Sequence, residues 1–193
     1  QWSSSAASDV YKRQVLLAYK KGIFPWFEKD DFLIWWSPDP RMVLYLDEIK
    51  ISKSMRLLMK KNKYEITYNR AFSEVVKSCA QVKRFGQSGT WITPGLMNVY
   101  NILHEQGHAH SVEIWDGTKL VGGLYGIDIG DIFCGESMFS KASNSSKMAL
   151  IYLSKELKKN NYKFIDCQVP TAHLASLGAK TISRKDFLKY LEK

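Results

Sequence analysis

Apolar and polar positions beyond Arg41 change period repeatedly, and each change marks an element. Met42 to Leu46 reads as a strand. Ser52 to Lys61 reads as a helix with Ser52 as N-cap and Met55, Leu58 and Met59 on one face. Tyr64 to Tyr68 predicts a strand and Ala71 to Gln81 a helix. Thr93-Pro94 opens another helix running to about Gln106, with Thr as N-cap and Pro at the first helical position. Ser111 to Trp115, Lys119 to Ile127 and Asp131 to Phe139 predict three strands joined by turns at Asp116-Gly117 and Gly130-Asp131. Ser145 to Lys159 carries an amphipathic helical pattern, Phe164 to Val169 a strand, and Arg184 starts a final helix. A meander of antiparallel strands followed by helix and strand indicates an α+β fold.

The first 40 residues follow different rules. Gln1 to Gln14 includes the low-complexity run Ser3 to Ser8 and reads as a disordered tail, or as a cloning or assembly scar. Val15 to Lys21 predicts a short helix broken at Gly22. Gly22-Ile23-Phe24-Pro25-Trp26-Phe27 and the stretch Leu33 to Arg41 mix aromatics with prolines, which suits ordered loops that cap a core or line a pocket.

Composition narrows the class. With 193 residues, 45% hydrophobic and 13% aromatic, the chain can bury one good core plus a small appended subdomain. No apolar run reaches the roughly 18 residues of a membrane span, so a soluble cytoplasmic protein is expected. Cys79, Cys134 and Cys167 are scattered, an odd set that argues for reduced thiols and against a disulfide framework. The 28 Lys+Arg against 19 Asp+Glu give a net charge of +9, which favours a polyanionic partner.

Candidate chemistry lies where polar residues interrupt strands. In Phe164-Ile165-Asp166-Cys167-Gln168-Val169 the acid and amide share one face, roughly 6 to 7 Å apart along the strand. A buried carboxylate needs partners. An amide NH2 donated to Asp166 would leave the Gln168 carbonyl aimed at a substrate; the alternative is a strand end whose polar groups meet loop backbone. In Phe133-Cys134-Gly135-Glu136-Ser137-Met138-Phe139, Glu136 shares a face with Cys134 and Met138 and suits an amine-binding pocket. Lys53, Arg56 and Lys60, extended by Lys61 and Lys63, form a basic helical face suited to phosphates or simply to solvent. The loop Ser140 to Lys147 precedes a helix, but lacks the glycines of a strong phosphate-binding motif. His104-Glu105-Gln106-Gly107-His108 spells a zinc-protease pattern, yet Gly107 falls at the expected helix end and takes His108 off the helical face. Ordinary cap or turn histidines are expected there, and no metal.

Six strings together carry a resemblance: Gly22 to Phe27, Trp35 to Arg41, Thr90 to Thr93, His104 to Ser111, Phe133 to Phe139 and Ile165 to Val169. In this order, from about Val15 to Lys193, they closely resemble the leucyl/phenylalanyl-tRNA–protein transferases. The resemblance implies a remnant of a small N-terminal subdomain (15–40) on an acetyltransferase-like, GNAT-type domain (41–193) with a mainly antiparallel, helix-flanked sheet. It implies transfer of Leu or Phe from tRNA to the α-amine of proteins beginning with Arg or Lys, marking them for degradation. Separately, a monomer without a cofactor is expected. Residues 1–14 stand in place of a glycine-rich segment usual in the family, and the chain ends sooner than in many members. The core chemistry is expected to survive both departures. By the same resemblance Asp166 orients and polarises Gln168, Gln168 positions the attacking amine, and Glu136 accepts from the aminoacyl α-ammonium. Trp26, Trp91, Leu124, Phe133, Met138, Leu150, Leu153 and Ile165 are expected to hold the Leu or Phe side chain and terminal adenosine, although Leu150 and Leu153 fit plain core equally well. Lys53, Arg56, Lys60 and Lys61 are expected to meet tRNA.

An aminoacyl ester is already activated, and an α-amine of pKa about 7.7 to 8.0 is partly free base at pH 7. Holding amine and carbonyl in line then supplies up to about 7 to 11 kcal/mol. Two other classes stay open: an acetyl-CoA-dependent N-acetyltransferase, which fits the fold, and a noncatalytic RNA-binding module, which fits the charge.

Overall fold

In the computed structural model, which describes residues 5–27, 33–82 and 90–192, the apolar strands form one seven-stranded sheet. The strands are β3 (Arg41–Tyr45), β4 (Glu65–Tyr68), β5 (Ala109–Asp116), β6 (Lys119–Asp128), β7 (Ile132–Ser140), β8 (Phe164–Gln168) and β9 (Lys180–Ile182), in the order β4-β5-β6-β7-β8-β3-β9. Every pairing is antiparallel except β7 with β8. That parallel pair needs a crossover, which helix α5 (Ser145–Lys159) provides.

Both faces of the sheet are covered, so successive strand residues feed different cores. Val43, Tyr125 and Phe164 pack with α1 (Ser5–Lys20), α3 (Phe72–Gln81), α4 (Pro94–Glu105) and Phe187 of α7 (Arg184–Lys189). Leu44, Leu124 and Ile165 pack with α5 and with Met55 of α2 (Lys53–Lys60) on the other face. Ser52 caps α2 by accepting from Met55 N at 3.2 Å, and Thr93 caps α4 by accepting from Leu96 N at 3.3 Å, as the sequence predicts. The result is the predicted α+β fold, a mostly antiparallel sheet flanked by helices.

Three differences stand out. Helix α1 begins at Ser5, inside the stretch expected to be disordered; residues 1–4 of that stretch lie outside the described residues. The aromatic segments expected as loops form a two-stranded antiparallel sheet, β1 (Phe24–Phe27) with β2 (Leu33–Trp36). Pro25 is tolerated because each strand of a two-stranded sheet is an edge, with one row of backbone groups that joins no ladder. Cross-strand aromatics hold it together: Trp26 and Trp36 meet edge-on at 5.7 Å and Phe24 and Trp36 at 6.0 Å. Finally, the short helix α6 (Ala172–Ser176) and strand β9 occupy a region where no element is predicted.

The hairpin is tied to the sheet domain at both ends. Gly22 ends α1 at φ +72°, where a Cβ would lie 2.9 Å from Leu188 Cδ2 and 3.1 Å from the Phe187 ring. Arg184, at the start of α7, donates its backbone N–H to Asp39 and its guanidinium to Ser37 O.

Candidate active site

Strands β7 and β8 run side by side only briefly. Ile132, Phe133 and Cys134 pair with Phe164, Ile165 and Asp166, and beyond that point the strands part. Two irregularities sit where they part. On β7 the register against β6 slips between Tyr125 and Gly126, which pair with Ser137 and Gly135 and leave Glu136 as the extra, bulged residue. Gly126 makes room there, since a Cβ would lie 2.2 Å from Cys134 O and 2.4 Å from the Phe133 ring. On β8, Gln168 has φ +62° and Val169 N donates to Cys167 O at 2.8 Å, a γ-turn centred on a non-glycine residue in the left-handed region.

A cavity of about 350 Å³ opens between the parted strands. Its walls are largely apolar: Leu124, Met138 and Ile165 from the sheet, Leu150 and Leu153 from α5, and the rings of Trp26 and Trp91. The two indoles stack at 5.9 Å and 12°, joining the hairpin to the segment before α4. Glu136, Cys167 and Gln168 supply polar atoms, and Thr171, His173 and Leu174 from the α6 region complete the lining.

Behind this cavity runs a hydrogen-bonded chain. Gln168 Nε2 donates to Glu136 Oε1 at 2.7 Å, Tyr100 OH donates to Glu136 Oε2 at 2.8 Å, and the Tyr100 and Tyr19 hydroxyls lie 3.2 Å apart. Glu136 is only 8% exposed, and burial pushes its pKa up to about 7 against the hydrogen bonds from Tyr100, Tyr19 and Gln168. Burial, then the Glu136 charge, raise both tyrosines, so they serve as neutral donors. Gln168 Oε1 has no hydrogen-bond partner among the described residues. Burial also raises the Cys167 thiol, which leaves it protonated and a poor nucleophile. His173 is lowered by burial and then by Lys147, so it is neutral near pH 7.

The predicted site residues largely converge. Trp26, Trp91, Leu124, Glu136, Met138, Leu150, Leu153, Ile165 and Gln168 all line the cavity. Asp166 and Phe133 do not. Asp166 is fully buried in a bidentate pair with Arg41 (Nε to Oδ1 2.8 Å, Nη2 to Oδ2 2.6 Å), and it touches Gln168 through the backbone N–H at 3.0 Å, not through the side-chain amide. The amide goes to Glu136 because the γ-turn rotates Gln168 out of strand alternation. Phe133 is buried against Gly126 and lines a second cavity of about 490 Å³ with Tyr68, His110, Glu156 and Tyr162; Leu153 lines both cavities. The bulge also corrects the expectation for β7: Cys134 packs into the core with α3 and α4, whereas Met138 faces α5.

The remaining motifs fall outside the cavity. His104 stacks on Phe72 at 4.2 Å and its Nδ1 bonds Ala109 O, while Gly107 at φ +78° turns the chain so that His108 leaves the helix. Among the described residues no group of three or more His, Cys, Asp and Glu could hold a metal ion. Lys53, Arg56, Lys60 and Lys61 are exposed and make no ion pair among the described residues. In the Ser140–Lys147 loop, Ser145 N is bonded to Ala142 O, and Ser146 N to Ser140 Oγ, so the first α5 amides are already used.

Sequence reasoning missed Arg41, Tyr19 and Tyr100. Arg41 had a signal: a lone cation at the start of an apolar strand is the natural partner for a buried carboxylate. The tyrosines had none, for each sits on an ordinary apolar helix face.

The likeness to known proteins is consistent along the chain. The family model of the leucyl/phenylalanyl-tRNA protein transferases matches residues 43–192, and that of their N-terminal domain residues 13–39. A leucyl/phenylalanyl-tRNA–protein transferase of Flavobacterium johnsoniae is 54% identical over 184 residues, covering 95% of this chain and 87% of the relative. One from Syntrophobacter fumaroxidans is 48% identical over 187 residues, covering 97% and 80%. A solved structure, a conserved protein of unknown function from Bacteroides thetaiotaomicron, shares the fold with a TM-score of 0.54 at 13% identity, over 72% of this chain and 53% of that one. No helix among the described residues is long and apolar enough to cross a membrane. With a family match over most of its length and half its residues shared with curated relatives, the chain belongs to the leucyl/phenylalanyl-tRNA–protein transferase family and is an aminoacyltransferase.

Proposed function

We propose that the protein moves Leu or Phe from aminoacyl-tRNA to the N-terminal α-amine of proteins beginning with Arg or Lys, tagging them for degradation in the cytoplasm. The chain acts as a monomer, divided near residue 40 into a hairpin-bearing subdomain and a GNAT-like catalytic domain. The observation that carries this reading is an apolar cavity with a buried carboxylate, Glu136, and an amide, Gln168, bonded to each other at its edge.

The Leu or Phe side chain enters between Leu124, Met138, Leu150, Leu153 and Ile165, and the terminal adenosine meets the Trp26–Trp91 wall. Glu136 accepts from the aminoacyl α-ammonium, discriminating against donors that lack it. Gln168 Oε1 accepts from the incoming amine and sets it in line with the ester carbonyl. A neutral amide is a poor base, so its contribution is orientation. Attack of the amine on the carbonyl forms the peptide bond and expels the tRNA ribose hydroxyl; a protonated Cys167 offers no acyl-enzyme route. The tRNA body follows Lys53, Arg56, Lys60 and Lys61.

The occupied amides at the start of α5 disfavour the pyrophosphate of acetyl-CoA as an alternative ligand. Transfer of radiolabelled Leu from charged tRNA to a peptide starting with Arg, with a Gly-starting peptide as control, tests the reading. Label on the Arg peptide alone is expected; label on neither, with tRNA bound, would refute it.

A further inference from the structure

We propose that Arg41 is a positioning residue for the transfer reaction, its guanidinium holding the γ-turn that aims Gln168 into the cavity. The inference rests on the orienting role proposed for Gln168 and adds the device behind it.

Each edge of the Arg41 guanidinium is committed. Nε and Nη2 fork onto the two Asp166 oxygens, and Nη1 donates to Gly22 O at 3.0 Å. Its faces are committed too, with the Phe24 ring at 4.9 Å and the Phe187 ring at 4.4 Å. A group gripped on edges and faces, and 1% exposed, cannot swing. Its partner oxygen, Asp166 Oδ1, also accepts the Gln168 N–H at 3.0 Å. That bond falls on a residue at φ +62°, a conformation a glutamine leaves unless its surroundings impose it. Were the turn to relax into ordinary strand geometry, the Gln168 side chain would move away from Glu136.

A buried ion pair serving stability alone could sit anywhere in the core and is often replaceable by apolar residues. This one sits one hydrogen bond behind the residue that orients the amine. It also draws Gly22 and Phe24 from the N-terminal subdomain, and Phe187 from the last helix, into setting that orientation. Lysine would not substitute, since a point charge lacks the planar fork.

The test is a double-mutant cycle on the full chain, reading steady-state Leu transfer to an Arg-starting peptide with near-UV circular dichroism as a check of folding. Arg41→Lys is expected to lower kcat about 10- to 100-fold, the scale of a misplacement of about 1 Å, while the KM for Leu-tRNA stays within about threefold. In a Gln168→Ala background the same substitution is expected to lower kcat no further. Wild-type kcat in Arg41→Lys would overturn the proposal, and so would the same fold-loss in both backgrounds, the mark of a purely structural pair. If Arg41→Lys does not fold, Phe187→Leu, which removes one face of the sandwich and keeps apolar bulk, enters the same cycle with the same two outcomes. Full turnover by Gln168→Ala alone would instead overturn the role of Gln168, and with it the reason for its aim.

Discussion

Asp166 and Gln168 touch through the backbone: the carboxylate accepts the Gln168 N–H at 3.0 Å while the Gln168 side chain reaches Glu136 on the neighbouring strand. The acid therefore shapes the chain behind the cavity, and the amide and Glu136 line it.

This division predicts a stability effect at Asp166. Asp166→Asn leaves the buried Arg41 charge uncompensated, a loss of about 3 to 5 kcal/mol. At about 2 to 4 °C per kcal/mol for a chain of this size, thermal unfolding is expected to drop by roughly 6 to 20 °C. Gln168→Ala takes one donor from Glu136, which keeps Tyr100, so its loss should be smaller, about 1 to 3 kcal/mol, while turnover falls. Calorimetry beside transfer kinetics separates the two.

Glu136 predicts a pH dependence in two readouts. Its folded pKa of about 7 lies above the ordinary value of 4.5, so between those pH values the folded chain binds the extra proton. This group's contribution to stability therefore falls as pH rises from about 4.5 to about 7, by about 3 kcal/mol in all, and is level above that. Activity should run the other way, rising between about pH 6 and 8, because the role proposed for Glu136 needs the ionised form. Urea midpoints of wild type minus Glu136→Gln across this range isolate the first effect, and the loss of the rising limb in the variant's pH–rate profile reads the second.

Leu153 stands between two cavities, and its removal should join them. Leu153→Ala is expected to cost about 2 to 5 kcal/mol and to raise transfer of Trp relative to Leu by at least about tenfold, the scale of a few methylenes in an apolar pocket. Competition between Trp-tRNA and Leu-tRNA measures the ratio directly.

The basic face of α2 predicts a salt effect. Replacing Lys53, Arg56 and Lys60 by Ala should reduce the salt dependence of tRNA binding by up to about three phosphate contacts. Exposed and without ion pairs among the described residues, these side chains should leave thermal stability nearly unchanged. Binding titrations across a salt series decide it.

What the sequence reveals follows the range of the interactions. Helix α5 is legible at both ends, Ser145 and Lys159, because its stripe of apolar residues is a local pattern. The caps at Ser52 and Thr93 are legible for the same reason. The hairpin is not, because Pro25 argues against a strand until the chain is seen to have only two strands there. Asp166 and Gln168 are visible as polar interruptions, but their geometry turns on one left-handed residue that glutamine seldom adopts. Arg41 stands out as a lone cation opening an apolar strand, but its pairing with Asp166, 125 residues away, is encoded by no local pattern. The apolar lining is legible chiefly through resemblance, and Phe133 shows its limit: it shares a face with Met138 and Leu124, yet lies farther along β7 and lines the other cavity.

The span between Arg41 and Asp166 has a consequence for the chain's birth on the ribosome. At about 5 to 20 residues per second, Arg41 waits for roughly 6 to 25 seconds before Asp166 is made, and longer for Phe187 to close the sandwich. Until then a nascent chain has neither the aimed amide nor a finished cavity wall, since Leu174 is still to come. The aimed amide and the cavity wall therefore arrive late and together, and a product stopped before Asp166 lacks the pair that holds the Gln168 turn.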